Sequence, residues 1–396
     1  MSTTAIPAPR TTLPAVHLAW VLVWLIGFHF LVDTVASIPQ PLWPELQLKL
    51  KLGDFGIQLI YLAWSGSNSL CQFLFGYFSD RFALRWLIWG GPLLSVGCLS
   101  GLALATTPWA VCLLMIGGGL GVAAFHPEAA AMAGGSLGAN RSRAMALFAM
   151  GGYLGQSAGP LYSGSLTTAY GMPGLLVTLA WAMPCVLLFA WLLNGATTAS
   201  NATKVQTGRP QSVRWPSLLL LVCIGTLRVM PAMGLPLVVA FVLKQQGENN
   251  ALIGMYQSLF LAAIGSGGMA SAVVVKPTNE RQVLWIMPIL VSVGLFSFPL
   301  LSQSAWWLAI VVSGFGLGCV FPVLIGFGQR LLPYGQRTAS SLTMGVTWGV
   351  GSVFVACIIG GFKHFGHTPA ACYLFAFGCF ISSILCYWLP TVAHDQ

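Results

Sequence analysis

The stretch NGATTASNATKVQTGRPQSVR, from Asn194 to Arg214, is the longest polar interruption in a chain that is otherwise strongly apolar. The 396 residues are 57% hydrophobic and only 6% charged, whereas a soluble domain carries about 25% charged residues. So few charged side chains cannot cover a core of this size with polar surface. The composition therefore predicts an integral membrane protein, and the polar stretch divides it into two halves of similar length.

Apolar segments predict twelve membrane-spanning helices, six on each side of the polar stretch. A span needs about 20 consecutive apolar residues, and charges or Gly/Pro clusters mark where one span ends. The predicted fold is an all-α membrane protein with two six-helix halves. The predicted spans are 14–37, 54–77, 84–106, 109–132, 143–166 and 173–194, followed by 215–241, 251–275, 283–301, 305–328, 339–362 and 369–389.

The distribution of positive charge predicts how the chain is oriented in the membrane. Twelve Lys and Arg residues lie on one side of this arrangement and four on the other, and cytoplasmic loops carry the excess of positive charge. The four are Lys49, Lys51, Lys244 and Lys363, so their side is predicted to be external. Segments 1–13 and 390–396 are then cytoplasmic tails, and 195–214 is a cytoplasmic loop joining the half 14–194 to the half 215–389.

Several functional classes are excluded by what the sequence lacks. The net charge is +9, but the basic residues occur singly and form no patch for nucleic acid. No P-loop pattern G-x-x-x-x-G-K-[ST] occurs, and no nucleophile and base stand in the order of a known enzyme. The ten cysteines lie in apolar runs without C-x-x-C, which favours packing over metal binding. Two six-span halves are typical of secondary transporters, so an ion gradient, with no cofactor, is the predicted driving force.

The sequence GYFSDRFALR, residues 76–85, follows the second predicted span. Gly76 permits close helix approach, Asp80 stands where a carboxylate can cap a neighbouring helix, and Arg81 and Arg85 supply cytoplasmic charge. The pattern resembles the G-x-x-x-D-R-x-x-x-R loop between helices two and three of the major facilitator superfamily. This resemblance implies a conformational latch. The corresponding stretch after the eighth span lacks the aspartate.

The fifth predicted span contains GGYLGQSAGPLYSG, with Gly151, Gly155 and Gly159 at four-residue spacing and Pro160 next to the last. Small residues on one face let two helices pack backbone to backbone, and a proline adds a kink. The element resembles the G-x-x-x-G-P motif of proton-coupled exporters in the same superfamily. Close packing without a role in export is the alternative interpretation.

Four segments together resemble the fosmidomycin-resistance branch of that superfamily. HFLVDTVASIPQPLWPELQ, GYFSDR, AFHPEAA and MGGYLGQSAGP occur in the order and spacing of that branch, and F-H-P-E in the fourth helix is the most specific of them. The likeness extends over nearly the whole chain. It implies a proton-driven drug exporter of a bacterial inner membrane, and fosmidomycin-type drugs carry a phosphonate.

Ionisable side chains within the predicted spans are few. Each is costly in hydrocarbon and is therefore a functional candidate. His29 and Asp33 are four residues apart and share a helix face. In the major facilitator fold, spans one, four and seven border the central cavity, so the five groups are expected to converge there. They are His29, Asp33, His126, Glu128 and Arg228.

Proton coupling is predicted for the acidic and histidine members of this group. Pro127 removes one helix hydrogen bond and is expected to bend span four, so that its neighbours face an aqueous cavity. Glu128 alternatively pairs with Arg141 or Arg143 near the membrane surface, and either histidine is alternatively an ordinary core residue. The predicted proton-coupling residues are Asp33, Glu128, His29 and His126.

Arg228 lies too deep in span seven to reach the membrane surface easily. Pro231 and Pro236 beside it predict an interrupted helix whose freed backbone groups line a cavity. A guanidinium there suits an anionic substrate, or Asp33. The predicted substrate-binding residues are Arg228, Asp33, Tyr61, Asn68, Gln72, Gln156, Tyr256 and Gln257.

Taken together, these features predict a proton-coupled antiporter that exports a small anionic drug or metabolite, such as a fosmidomycin-like phosphonate. It is expected to act as a monomer whose partners are lipid, protons and substrate, with no nucleic acid. One alternative is a transporter, in either direction, of another small acidic metabolite such as a metal-chelating compound. The other is a membrane sensor on the same scaffold, which flux measurements in reconstituted vesicles would separate from a transporter.

Overall fold

The computed structural model describes residues 15–82, 84–136, 141–194, 215–276, 278–331 and 341–390, which contain helices and no strand. Twelve of these helices have 15 residues or more, which confirms the predicted fold class. They are α1 (Ala15–Ala36), α2 (Asp54–Phe82), α3 (Leu87–Gly101), α4 (Pro108–Gly135), α5 (Arg141–Tyr170), α6 (Val177–Asn194), α7 (Trp215–Gln245), α8 (Asn250–Val274), α9 (Glu280–Ser297), α10 (Trp306–Leu331), α11 (Thr347–His364) and α12 (Ala371–Leu385).

Shorter helical elements join or extend the long ones. A seven-residue helix, Trp43–Lys49, lies between α1 and α2. A π-helical turn, Ser341–Val346, leads directly into α11. Among the described residues, eight helical stretches are long and apolar enough to cross a membrane, and α3 is a shorter apolar helix. The less apolar helices α2, α5 and α11 all lie where the two halves meet, so protein takes the place of lipid on part of their surface.

The two halves meet along two helix pairs, α2 with α11 and α5 with α8. In the second pair the backbones touch directly. A side chain at Gly164 of α5 would collide with the carbonyl of Asn250, and one at Gly254 of α8 would collide with the carbonyl of Pro160. The linker 195–214 and the segments 1–14 and 391–396 lie outside the described residues, so the predicted domain boundaries stay a prediction.

The glycine stripe of α5 packs against α1, inside the first half. A Cβ at Gly151, Gly155 or Gly159 would collide with a different backbone carbonyl of α1 in each case. Such close approach is what small residues permit in membrane helices, where backbone contact replaces the hydrophobic effect. This packing fixes the height of α1 against α5.

Two details differ from the predicted elements. Helix α2 continues to Phe82, so residues 76–82 of the predicted loop motif are helical, with Arg81 in the last turn where a cation suits the helix dipole. Helix α7 is unbroken across Pro231 and Pro236, which corrects the expected interruption.

The unbroken course of α7 has a physical reason in its neighbours. Pro231 leaves the carbonyl of Leu227 without its helical donor, and the thiol of Cys379 approaches that oxygen at 4.0 Å. The carbonyl of Pro236 accepts from Nε2 of Gln257 at 2.9 Å, but the carbonyl that Pro236 leaves without its helical donor is that of Ala232. A side chain of an adjacent helix thus approaches the carbonyl freed by Pro231, and membrane helices accommodate such prolines without opening.

Candidate functional site

Three ionisable side chains meet in the interior of the first half, and we refer to His29, Asp33 and His126 as the His–Asp–His cluster. Nε2 of His29 lies 3.3 Å from Oδ2 of Asp33, and Nε2 of His126 on α4 lies 3.2 Å from Oδ1. Asp33 is only 2% exposed, whereas the side chain of His126 is 22% exposed. The carboxylate is therefore enclosed, and His126 is the more accessible of the two histidines.

The backbone fixes which nitrogen of each ring carries a hydrogen. Nδ1 of His29 lies 2.8 Å from the carbonyl oxygen of Phe148, and Nδ1 of His126 lies 2.8 Å from that of Val122. A carbonyl oxygen only accepts, so each Nδ1 is the donor. In a neutral ring, Nε2 is then a lone pair, and a lone pair facing an ionised carboxylate repels it. Each Nε2 contact with Asp33 becomes a hydrogen bond only when a further proton lies between the two atoms.

Other side chains complete the surroundings of Asp33. Gln156 on α5 donates from Nε2 to Oδ2 of Asp33 at 3.0 Å. The ring of Phe148 stacks on His29 with centroids 4.1 Å apart, and the rings of His29 and His126 meet edge to face at 5.1 Å. Helix α5 therefore lines a cluster whose three members come from α1 and α4.

Two residues of this site are missed by sequence reasoning, namely Phe148 and Gly152. A Cβ at Gly152 would lie 2.8 Å from Oδ2 of Asp33 and would collide with the ring of His29. Only glycine leaves room for the cluster at this position. The sequence does contain a sign of this role in the doublet Gly151–Gly152. The four-residue glycine stripe explains Gly151 but leaves Gly152 without an explanation.

Glu128 lies on α4 two residues beyond His126 and is half-buried. Residues two apart on a helix do not share a face, so Glu128 is not oriented towards the cluster as His126 is. Of its two expected partners, Arg143 is exposed, and the side chain of Arg141 lies outside the described residues.

Arg228 lies in the second half, apart from the cluster. Its guanidinium is fully enclosed between α7, α9 and α12. Nε donates to Oγ of Ser382 at 3.0 Å, and Nη2 donates to the carbonyl of Leu284 at 2.7 Å and to Sγ of Cys386 at 3.0 Å. Among the described residues, Nη1 has no hydrogen-bond partner and Arg228 forms no ion pair. The expectation that all five ionisable groups converge is therefore wrong for Arg228. Its side chain faces α9 and α12 and does not reach the cluster.

The remaining predicted substrate-binding residues are dispersed. Gln156 reaches the cluster, as described above. Tyr61 packs edge to face against Trp43, with centroids 5.5 Å apart. Oδ1 of Asn68 is buried without a hydrogen-bond partner among the described residues, and Gln72, one turn further along α2, is half-buried.

Two predicted substrate-binding residues on α8, Tyr256 and Gln257, donate hydrogen bonds to backbone carbonyls away from the cluster. The hydroxyl of Tyr256 donates to the carbonyl of Gln303 at 3.0 Å. Gln257 donates to the carbonyl of Gln40 at 3.0 Å as well as to that of Pro236. The hydroxyl of Tyr256 and the amide nitrogen of Gln257 are therefore engaged by protein in this conformation, whereas Oε1 of Gln257 is buried without a hydrogen-bond partner among the described residues.

The predicted latch residues lie at the end of α2. A Cβ at Gly76 would be 3.7 Å from Pro127 of α4, an ordinary packing distance. Arg81 donates to the hydroxyl of Tyr77 at 3.4 Å, and both Arg81 and Arg85 are exposed. The side chain of Asp80 lies outside the described residues, so the latch role stays a prediction.

Metal binding is the remaining chemical question for the cluster. One ligand atom from each of its three residues lies within 4.8 Å of the others, the only such grouping among the described residues. The expectation that the chain binds no metal stays a prediction.

Comparison with known proteins gives a consistent result. A sequence profile of the Major Facilitator Superfamily matches residues 25–356. The fosmidomycin resistance protein of Escherichia coli (strain K12) is 25% identical over 344 residues, or 83% of each chain. An uncharacterized MFS-type transporter of Bacillus subtilis (strain 168) is 23% identical over 369 residues, or 87% of each chain. The crystal structure of a mutant of the nucleoside transporter NupG has a TM-score of 0.71 at 13% identity, over 93% of this chain and 99% of that one.

Proposed function

Since this chain belongs to the major facilitator superfamily and is a multi-pass membrane transporter, we propose that it is a proton-coupled antiporter whose proton site is the His–Asp–His cluster. It exports a small anionic drug or metabolite, such as a fosmidomycin-like phosphonate, across a bacterial inner membrane. The proton gradient drives the exchange, and no cofactor takes part. The chain acts as a monomer, with both termini in the cytoplasm.

The observation that carries this proposal is the fixed orientation of the two imidazole rings. Both Nδ1 atoms donate to backbone carbonyls, so both Nε2 atoms need added protons to bond Asp33. With both added protons the cluster bears one net positive charge, and with one it is neutral. With neither, an ionised carboxylate faces two lone pairs. Each proton therefore changes the forces between α1 and α4.

Burial makes this change large enough to drive a movement. Asp33 is almost completely enclosed, and an unpaired charge in such surroundings is strongly disfavoured. Loss of the protons must therefore be accompanied by separation of the rings from the carboxylate, or by entry of water. A helix that moves when a proton leaves is the requirement for coupling proton flow to a change of conformation.

The proton path runs through the accessible edge of the cluster. His126 is more exposed than Asp33 or His29, so protons enter and leave through its ring. Glu128 lies nearer to the predicted cytoplasmic end of α4 and is half-buried. We assign it to proton exchange with the cytoplasm, as a carboxylate at the boundary between protein and water.

The substrate class rests on the 25% identity to a protein named for fosmidomycin resistance. The amide oxygen of Asn68, which has no hydrogen-bond partner among the described residues, can accept a hydrogen bond from a donor group of the same substrate. Arg228 is not part of this assignment, because its guanidinium is fully enclosed.

The experiment that tests the function compares everted membrane vesicles with and without the protein. Energised vesicles acidify their lumen, and addition of an exported substrate should release protons, which a pH-sensitive dye detects. A panel of fosmidomycin, other phosphonates and neutral drugs identifies the substrate, and drug susceptibility of whole cells gives an independent readout. The proposal would be contradicted if no anion caused protons to leave the vesicles, or if anions were taken up without proton movement.

A further inference from the structure

We propose that the segment Gln40–Asp54 of the first half, together with Lys244 and Lys363 of the second, forms the external gate of the transporter. In the conformation described here, this gate is closed by two ion pairs between the halves. The face that carries it is external by the charge distribution of the sequence. The proposal needs only alternating access and does not depend on the proton site or the substrate.

The first ion pair lies at the outer end of the contact between α5 and α8. Nζ of Lys244, in the last turn of α7, lies 2.7 Å from Oε2 of Glu45. The same ammonium lies 3.4 Å from Oδ1 of Asn250, whose amide donates to Oγ1 of Thr167 at 3.2 Å. The ion pair is thus one member of a hydrogen-bonded chain that crosses from one half to the other.

The second ion pair lies at the outer end of the contact between α2 and α11. Nζ of Lys363 lies 2.8 Å from Oδ1 of Asp54, the first residue of α2. It also donates to Oε1 of Gln47 and lies over the ring of Phe241, 4.4 Å from its centroid. The lysine side chain is 9% exposed, so solvent and salt screen this pair less than an ordinary surface pair.

The short helix Trp43–Lys49 connects the two ion pairs. It presents Glu45 to one lysine and Gln47 to the other, while its buried Trp43 and Leu46 anchor it. Just before it, the carbonyl of Gln40 accepts from Gln257 of α8. The link between α1 and α2 is therefore attached to the second half at three points.

Several polar contacts between described residues of the two halves lie on this face. They are hydrogen bonds at the outer ends of the helices and in the segment between α1 and α2. The acids lie in the first half and the lysines in the second. Separation of the halves on this side requires that both ion pairs break and that water hydrates the freed charges. Weakening either pair should therefore favour the outward-open state.

A buried reporter close to the gate allows a direct measurement. Gln58 lies one turn below Asp54 on α2 and is 3% exposed. It faces α11, because a Cβ at Gly360 would lie 3.4 Å from its Cγ. We expect Gln58→Cys, in a chain whose ten native cysteines are replaced, to react slowly with an impermeant maleimide applied from outside. Asp54→Asn or Lys363→Met should raise that rate roughly two- to fivefold.

A charge swap distinguishes an ion pair from a general loss of stability. The double variant Asp54→Lys with Lys363→Asp should return the labelling rate towards that of the unmodified gate. The same series at Glu45 and Lys244 tests the first pair. The matched control is Arg330→Gln, which removes an ion pair to Glu280 within the second half and should leave the rate unchanged.

The proposal is overturned if neutral variants label at the unmodified rate, if the swap labels as fast as the single variants, or if the reporter becomes accessible only from the cytoplasmic side. These outcomes are separate from the fate of the proposed function. Labelling needs no substrate, and the series can be repeated with Asp33→Asn, where the effect of the gate variants should persist.

Discussion

Nε2 of His126 on α4 lies 3.2 Å from a carboxylate oxygen of Asp33 on α1, and this contact can be attractive only when a proton is present. His29 makes the equivalent contact to the other oxygen at 3.3 Å. Protonation of the two rings therefore changes the net charge of a group of side chains carried by α1 and α4. The glycine stripe of α5 fixes the axial position of α1 against α5, so this change of charge takes place in a tightly packed part of the first half.

Replacement of Asp33 should uncouple transport from the proton gradient. Asp33→Asn keeps the volume and polarity of the side chain but removes its negative charge. An added proton on either ring then has no carboxylate charge to neutralise. We expect gradient-driven flux to fall at least tenfold, the effect of about 1.4 kcal/mol, while exchange of substrate between equal concentrations continues. Glu248→Gln, which replaces a carboxylate in the loop between α7 and α8, is the control. Normal gradient-driven flux in both Asp33→Asn and Glu128→Gln would remove this hypothesis.

Replacement of His126 should change the number of protons moved for each substrate. In His126→Gln, an amide can still donate a hydrogen bond to Asp33 but does not titrate. We expect a lower ratio of protons to substrate, measured from the gradients at which net flux stops. His126→Phe removes the hydrogen bond as well and should impair transport more. An unchanged ratio in His126→Gln would place the coupling proton elsewhere.

Gly152 should tolerate no side chain. In Gly152→Ala the new methyl group would lie 2.8 Å from Oδ2 of Asp33 and against His29, and overpacking of this kind typically costs about 1–3 kcal/mol. We expect a lower melting temperature in detergent together with reduced transport. Gly97→Ala on α3 is the matched control, because nothing lies within 4 Å of its added methyl group. Equal behaviour of the two variants would show that the cluster adapts to the methyl group.

Arg228 should act on stability and not on the choice of substrate. Arg228→Lys keeps the charge but loses the planar donors that bind Ser382 and Leu284, which leaves a buried ammonium poorly bonded. Arg228→Met removes the charge and retains much of the volume. We therefore expect the methionine variant to melt at a higher temperature than the lysine variant, with the preference for anionic over neutral substrates unchanged in both. Selective loss of anion transport would return Arg228 to the substrate site.

The sequence alone determined the number of helices, their approximate ends and their division into two halves. Hydropathy over some 20 residues is a local property, so each predicted span coincides with one observed helix. The pairing of His29 with Asp33 was also local, because residues four apart on a helix are neighbours. The stripe of Gly151, Gly155 and Gly159 followed from the same periodicity.

The tertiary structure decided which way each helix faces. Lipid makes most faces of a membrane helix apolar, so hydropathy does not distinguish a side chain directed at the cavity from one directed at a neighbouring helix. His126 and Arg228 looked equivalent as isolated ionisable residues in spans, yet only His126 meets Asp33. Gly152 differed from Gly151 only in the side of α5 that it occupies. The pairing of Lys363 with Asp54 joins residues 309 positions apart, a contact that depends on how two complete halves pack and that no local pattern encodes.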